Sequence, residues 1–214
     1  MIKSRAIAYV DGLNLHGGIC DIYRRDLLWI DLFKLIKWKI SSDFNEDIDI
    51  ELVAIKYFNT QPKSDQDKID RHKQWIKLLQ NFSEKFEIIS GKFKKPLRRC
   101  KKCGRLYRQW EEKRTDVNIA CHLLFDYFDN KFDIAYIFSG DSDFVPAIQL
   151  LRERSNKIEI VAMFPPERYE HDIVNVCNRS QSITIPELER FVLPEAFTFN
   201  GIEFIKPPSW RKCR

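Results

Sequence analysis

The sequence predicts an α/β fold: a central, mainly parallel sheet covered by helices on both faces. Three observations carry this. Short apolar runs of strand length occur at 5–10 (RAIAYV), 50–59 (IELVAIKYFN), 86–90 (FEIIS) and 133–138 (DIAYIF). Between them lie longer stretches whose apolar residues recur at three- and four-residue intervals, and this alternation is the signature of strands joined by helical right-handed crossovers. Finally, the first and fourth runs both end in acidic turns, Asp11-Gly12 and Gly140-Asp141. In α/β sheets the edge outside the carboxyl ends of the strands is where ligands bind.

The elements follow in order. The strand at 5–10 ends at DGLN, where Gly12 allows a tight turn and Gly17-Gly18 loosen the connection that follows. Apolar positions from Leu27 to Ile40 predict a helix started by Asp31, and the polar stretch Ser41 to Asp49 predicts a loop. After the strand at 50–59, Pro62 breaks the chain, and Asp65 to Ser83 forms an amphipathic helix with Ile69, His72, Ile76, Leu79 and Phe82 on one stripe. His72 on that stripe is a satisfied boundary histidine. From Gly91 to Trp110 the helical period is lost, and a β-hairpin excursion carries the turn Cys100-Lys101-Lys102-Cys103-Gly104. Thr115 caps a helix to Asp129 whose buried face holds Ile119, Ala120, Leu123, Leu124, Tyr127 and Phe128. Asp116 projects from the start of that face, where a charge is costly without a partner. Beyond the fourth strand come a helix at 143–154, a strand at 157–163, a short helix at 169–177, a sixth strand at 182–185 and a helix at 186–191. The proline-bearing stretch from Leu193 to Arg214 has no strong period and wraps the domain or ends as a linker.

A chain of 214 residues accommodates one generous domain, or one with an appendage. Its 44% hydrophobic and 31% charged residues are ordinary for a soluble globular protein, and no stretch has the length of a membrane-spanning helix. The N-terminus does not resemble a signal peptide, so the expected compartment is the cytoplasm. Six cysteines in this length make no disulfide framework, which leaves reduced thiols or a metal site. Charge is the informative quantity. Residues 92–114 hold eleven Lys or Arg against two Glu, a local charge of +9 that leaves −4 for the rest of the chain. Such a patch on a near-neutral body is the footprint of a polyanion partner.

Four carboxylates then converge if the first and fourth strands are neighbours: Asp11, Asp116, Asp141 and Asp143. Asp141 or Asp143 could serve as a helix cap, but a single cap leaves the other carboxylate idle. Carboxylates brought this close repel, and one or two divalent cations of the hard, oxygen-seeking kind, Mg²⁺ or Mn²⁺, would relieve them. Those ions could also activate water and stabilise the leaving oxygen of a phosphodiester, and a neighbouring basic patch would hold the substrate backbone.

VDGLN at 10–14, the step from Lys113 to Asp116 into a helix, and SGDSDF at 139–144 with Pro146 soon after resemble the NYN domain family of PIN-like nucleases, in spacing its bacterial LabA-like branch. The resemblance covers about 5–185. It implies a PIN-like three-layer α/β/α sandwich over 1–192, with a basic hairpin insertion at 91–112 and an extension at 193–214. It also implies a metal-dependent ribonuclease with Asp11, Asp116, Asp141 and Asp143 as Mg²⁺ or Mn²⁺ ligands. Asn14 would then orient a ligand or water, Ser139 would hydrogen-bond an Asp, and Lys113 would touch a phosphate. Lys101, Lys102, Arg105 and Arg108 extend that RNA contact. Arg114 departs from the glycine frequent in relatives and adds charge beside the site. His16, two residues past Asn14, is an incidental loop histidine.

Two alternatives stand beside the ribonuclease. A haloacid-dehalogenase-like phosphatase wants an acid two residues after its nucleophile, and Leu13 occupies that place. A non-catalytic RNA-binding module of the same fold would not require four carboxylates. Cys100 and Cys103 form half of a structural zinc site, which takes four ligands, and Cys121 reads as a small core residue. Tyr107 and Trp110 among arginines suit base stacking or hairpin packing equally. A homodimer is left open.

Overall fold

A computed structural model describes residues 3–43, 49–63, 65–155 and 157–211. In chain order the elements are β1 (Ser4–Asp11), α1 (Gly12–Asp21), α2 (Leu32–Asp43), β2 (Ile50–Asn59), α3 (Gln66–Phe82), β3 (Phe86–Ser90), β4 (Lys92–Lys94), β5 (Leu97–Arg99), β6 (Leu106–Arg108) and β7 (Glu111–Lys113). There follow α4 (Thr115–Phe128), β8 (Ile134–Phe138), α5 (Val145–Arg154), β9 (Glu159–Phe164), α6 (His171–Val176), β10 (Arg179–Ser182), α7 (Ile185–Arg190), β11 (Ala196–Phe199) and β12 (Ile202–Ile205).

Six strands form one parallel sheet in the order β10-β9-β8-β1-β2-β3. The chain winds outward from β1 through β2 to β3, then returns to place β8 on the other side of β1 and winds outward again. The strand order therefore reverses between β1 and β8, and a crevice opens outside their carboxyl ends. Alternation along the strands builds two cores. Ala6, Ala8 and Val10 face one side with Tyr57, Tyr136 and Phe138, under α1, α2, α3 and α7. Ile7 and Tyr9 face the other with Phe58, Ile137 and Phe164, under α4, α5 and α6. The architecture is thus the expected α/β/α sandwich.

Several elements differ from their sequence expectation. Residues 12–21 form a helix, not a loosened turn, because Asp11 accepts the amides of Leu13 and Asn14 and so caps it. The helix expected from Leu27 is split: residues 25–28 form a 3₁₀ turn, and Asp31, which accepts the Lys34 amide, starts α2. Helix α2 runs on through Asp43, so part of the expected 41–49 loop is helical, while 44–48 lie outside the described residues. The sixth strand lies at 179–182, ahead of the apolar Ile183-Thr184-Ile185 that suggested it. The excursion after Gly91 is a two-part hairpin in which β4 pairs with β7 and β5 with β6. In α4 the buried stripe is Ile119, Leu123 and Asp126, whereas Phe128 and Cys121 are exposed. Cys121 is therefore not a core residue. Asp126 is held on that inward face by Lys56 at 2.6 Å and by the Tyr9 hydroxyl at 2.9 Å.

The stretch after Leu193 also carries structure. β11 and β12 pair antiparallel around Asn200-Gly201, both at positive φ (50° and 74°), the geometry of a two-residue hairpin turn. Phe197, Phe204 and Trp210 pack against Trp29, Trp75 and Phe82, so this segment closes the α1–α3 core. Cys213 lies outside the described residues.

Candidate metal centre

The crevice between β1 and β8 gathers acidic groups by three routes. β1 ends in Asp11, which is 4% exposed. β8 ends at Phe138, and Ser139-Gly140 turn the chain so that Asp141 can cap the short 142–144 turn by accepting the Asp143 amide at 3.0 Å. Gly140 is required at that turn: a Cβ there would come within 1.7 Å of the Arg168 carbonyl oxygen. The third route is the start of α4. Arg114 sits at φ 84°, a left-handed conformation that favours glycine, and it swings the chain from β7 into the helix with Asp116 in its first turn.

Carboxylate oxygens of Asp116, Asp141 and Asp143 lie within 4.8 Å of one another, the one such group among the described residues. Asp11 is not a member. Its Oδ1 accepts the Leu13 and Asn14 amides at 3.1 and 3.0 Å, and its Oδ2 accepts the Ser139 hydroxyl at 3.1 Å. Ser139 Oγ in turn accepts the Asp141 amide at 3.2 Å, and Asn14 Oδ1 accepts the Gly140 amide at 3.1 Å. Asp11, Asn14 and Ser139 thus form a brace that fixes the 139–143 loop against β1. Thr115 is the first helical residue and not the cap. Its amide is accepted by Glu112 at 3.1 Å, and its hydroxyl contacts Glu112 and, at 3.2 Å, the Thr60 hydroxyl. Glu112 and Thr60 were not singled out by the sequence; the one signal was a carboxylate three residues before a helix.

The electrostatics follow from this crowding. Burial, then Asp141, Asp11, Glu112 and Asp143, push the Asp116 carboxyl up to about 6. Asp11 is also raised, first by burial and secondarily by Asp141, against the hydrogen bonds that favour its charge. Hard oxygen donors converging this way, with no Lys or Arg ion pair to any of these three carboxylates among the described residues, suit a hard divalent cation.

The basic hairpin is joined to this site through Arg114. Lys101, Lys102, Arg105, Arg108 and Arg114 are exposed, and none has a carboxylate within 4 Å among the described residues. Lys113 is exposed and pairs with Glu111 at 3.4 Å, and Arg98 pairs with the same carboxylate. Trp110 packs edge-on against Phe93 beneath Lys95, whereas Tyr107 is exposed. Cys100 and Cys103 share the hairpin tip, but among the described residues no third Cys, His, Asp or Glu joins them, and Cys121 stands elsewhere on α4. His72 Nε2 donates to Asn59 Oδ1 across 2.7 Å at the boundary of the core. His16 lies on α1, lining a cavity of about 290 Å³ between α1 and α3.

A model of the NYN domain family matches residues 7–184. The chain belongs to the NYN domain family. This NYN domain carries the PIN-like nuclease fold and the aspartate cluster. It is 24% identical to 6-hydroxy-3-succinoylpyridine 3-monooxygenase HspA of Pseudomonas putida, over 96% of this chain and 75% of that protein. A protein of unknown function from Vibrio parahaemolyticus shares the fold with a TM-score of 0.56 at 17% identity, over 89% of this chain and 97% of that one. No helix among the described residues is long and apolar enough to cross a membrane.

Raising the Asp116 carboxyl makes the stability of the fold depend on pH. Its folded value of about 6 lies above the ordinary 3.8, so the folded state holds the proton more tightly than the unfolded one. The stability this contributes is full near pH 4 and lost as pH rises through about 6. In EDTA, Asp116→Asn melts at a higher temperature than wild type at pH 7 and at a similar one at pH 4. Added Mn²⁺ raises the wild-type melting temperature at pH 7 and leaves that of the variant nearly unmoved. A variant that is less stable at pH 7, or that keeps the full Mn²⁺ response, contradicts the electrostatic account.

Proposed function

We propose that this NYN domain is a metal-dependent endoribonuclease. The observation that carries the reading is the convergence of Asp116, Asp141 and Asp143 at the crevice where the strand order reverses. These three carboxylates would hold Mg²⁺ or Mn²⁺, with Asp11 behind them. A divalent ion held there would lower the pKa of a bound water and stabilise the charge that develops on a phosphodiester. The chain's own residues do the rest. Asp11, Ser139 and Asn14 hold the Asp141 loop at fixed height on the sheet. Arg114 orients Asp116, and Glu112 anchors the first turn of α4. Lys113, Arg114, Lys101, Lys102, Arg105 and Arg108 attract and track the RNA backbone, and of these only Lys113 has a carboxylate within 4 Å among the described residues.

We place the protein in the cytoplasm, where thiols such as the five free cysteines of the described residues stay reduced. The exposed α4 residues Val117, Phe125 and Phe128 make a homodimer compatible with this reading.

A second reading comes from the relative named as a monooxygenase of a substituted pyridine: catalysis on a small aromatic substrate. The cavity of about 290 Å³ beside α1 favours it. Turnover of that pyridine, supplied with dioxygen and a reductant, in place of RNA cleavage would select it.

The test is cleavage of mixed RNAs with Mn²⁺ or Mg²⁺ and with EDTA. Asp141→Asn keeps the cap and the fold but lowers cleavage at least about 100-fold. Replacing Lys101, Lys102 and Arg105 by Glu weakens RNA binding and flattens its log–log salt slope by about 2. Undiminished cleavage by Asp141→Asn removes the aspartate from the mechanism, and an unchanged salt slope removes the hairpin from the interface.

A further inference from the structure

The cavity on the α1–α3 face is unlike the acidic crevice next to it. Tyr57, Trp75, Trp210, Leu27, Leu28 and Ile30 give it an apolar, largely aromatic lining. Its charged and polar lining includes Arg25, Lys68, Arg71, His16, His72, Asn59 and Thr60, and no carboxylate lines it. Lys68 pairs with Asp65 at 3.7 Å, but neither Arg25 nor Arg71 has a carboxylate within 4 Å among the described residues. Arg25, Arg71 and His16 line the same space, and the two guanidiniums depress the His16 pKa after burial has done so. The His72 pKa is likewise depressed, by burial and then by His16.

Asn59 supplies an independent observation. Its side chain is 4% exposed and lines the cavity, yet its Nδ2 has no hydrogen-bond partner among the described residues. His72 occupies Oδ1. Turning the amide over would only exchange which of its two polar atoms is left alone. Buried polar groups are normally satisfied, so an unpartnered atom on a residue that lines the cavity leaves one hydrogen bond to be made when the side chain adjusts to a ligand. At about 290 Å³ the cavity has the volume of a small ligand pocket.

We propose that this cavity binds a planar aromatic ring bearing an anionic group. The ring lies among Tyr57, Trp75 and Trp210, the Asn59 amide bonds a polar atom of the ring, and the anion meets Arg25 and Arg71. Two sources share that chemistry: one nucleotide of an RNA strand, or a free heteroaromatic acid. A strand could reach the cavity from the metal centre, because the two share a wall. Gly12, which follows Asp11, lines the cavity, and so does Thr60, which bonds Glu112 and Thr115.

The test uses the full chain in EDTA, so that no result depends on cleavage and failure here leaves the nuclease reading standing. The four nucleoside 5′-monophosphates and nicotinate are titrated separately, with benzyl alcohol as a ring without charge and inorganic phosphate as a charge without a ring. NMR follows the His16 and His72 ring protons. Saturable shifts with a nucleotide or with nicotinate, absent for both controls, are expected, together with a rise in the His16 pKa as the anion offsets the two arginines. Arg71→Glu, a change on the partly exposed rim, weakens binding about tenfold or more. Binding by nucleotides alone assigns the cavity to the strand, and binding by nicotinate alone assigns it to a free acid. No saturable shift with any of them, equal binding of benzyl alcohol, or full affinity in Arg71→Glu overturns the proposal.

Discussion

Carboxylates that repel one another must be held together by something other than themselves. Here the parallel pairing of β1 to β8 does the holding, with Val10 opposite Phe138 at the last common register position. Where the pairing stops, Ser139 continues it through side chains, donating to Asp11 and accepting from the Asp141 backbone. Asn14 adds a second tie to Gly140. The cluster of Asp116, Asp141 and Asp143 is thus a consequence of backbone register, and its mutual repulsion is balanced by two cores packed on opposite faces of one sheet. Relaxing that brace would let the carboxylates separate, and with them the site.

The same geometry keeps opposite charges apart. The hairpin concentrates positive charge, yet its arginines and lysines do not neutralise the crevice: Lys113 turns to Glu111, and Arg98 joins it there. Glu112 adds negative charge beside Asp116 instead of relieving it. A strongly acidic crevice next to a strongly basic arm suits a ligand that is itself a polyanion and a site that takes a cation, each attracted to its own region.

Much of this was legible in the sequence, for identifiable reasons. The β8 run and the SGDSDF turn were plain because a strand buried on both faces has no polar residue until it ends. Helix α1 was hidden by Gly17 and Gly18. Tertiary contact overrides their low propensity, since Gly18 lies against the Pro166 carbonyl oxygen, where a Cβ would come within 2.3 Å. Asn200-Gly201 between Phe199 and Ile202 is a strong hairpin signal, masked by the prolines at 194, 207 and 208 on either side of it. For Asp11 the residue type does not disclose its hydrogen bonds; the coordinates show its oxygens accepting from the Leu13 and Asn14 amides and the Ser139 hydroxyl. The cavity was illegible because it joins residues from His16 to Trp210 that no linear pattern connects.

The central claim is that three aspartates from two distant stretches hold one divalent ion centre. Anomalous diffraction from crystals equilibrated with Mn²⁺ tests it most directly. The account predicts a Mn²⁺ peak bonded to carboxylate oxygens of Asp116, Asp141 and Asp143 at about 2.0–2.3 Å. A fully occupied peak elsewhere with none at this cluster, or no peak at saturating Mn²⁺, would contradict it.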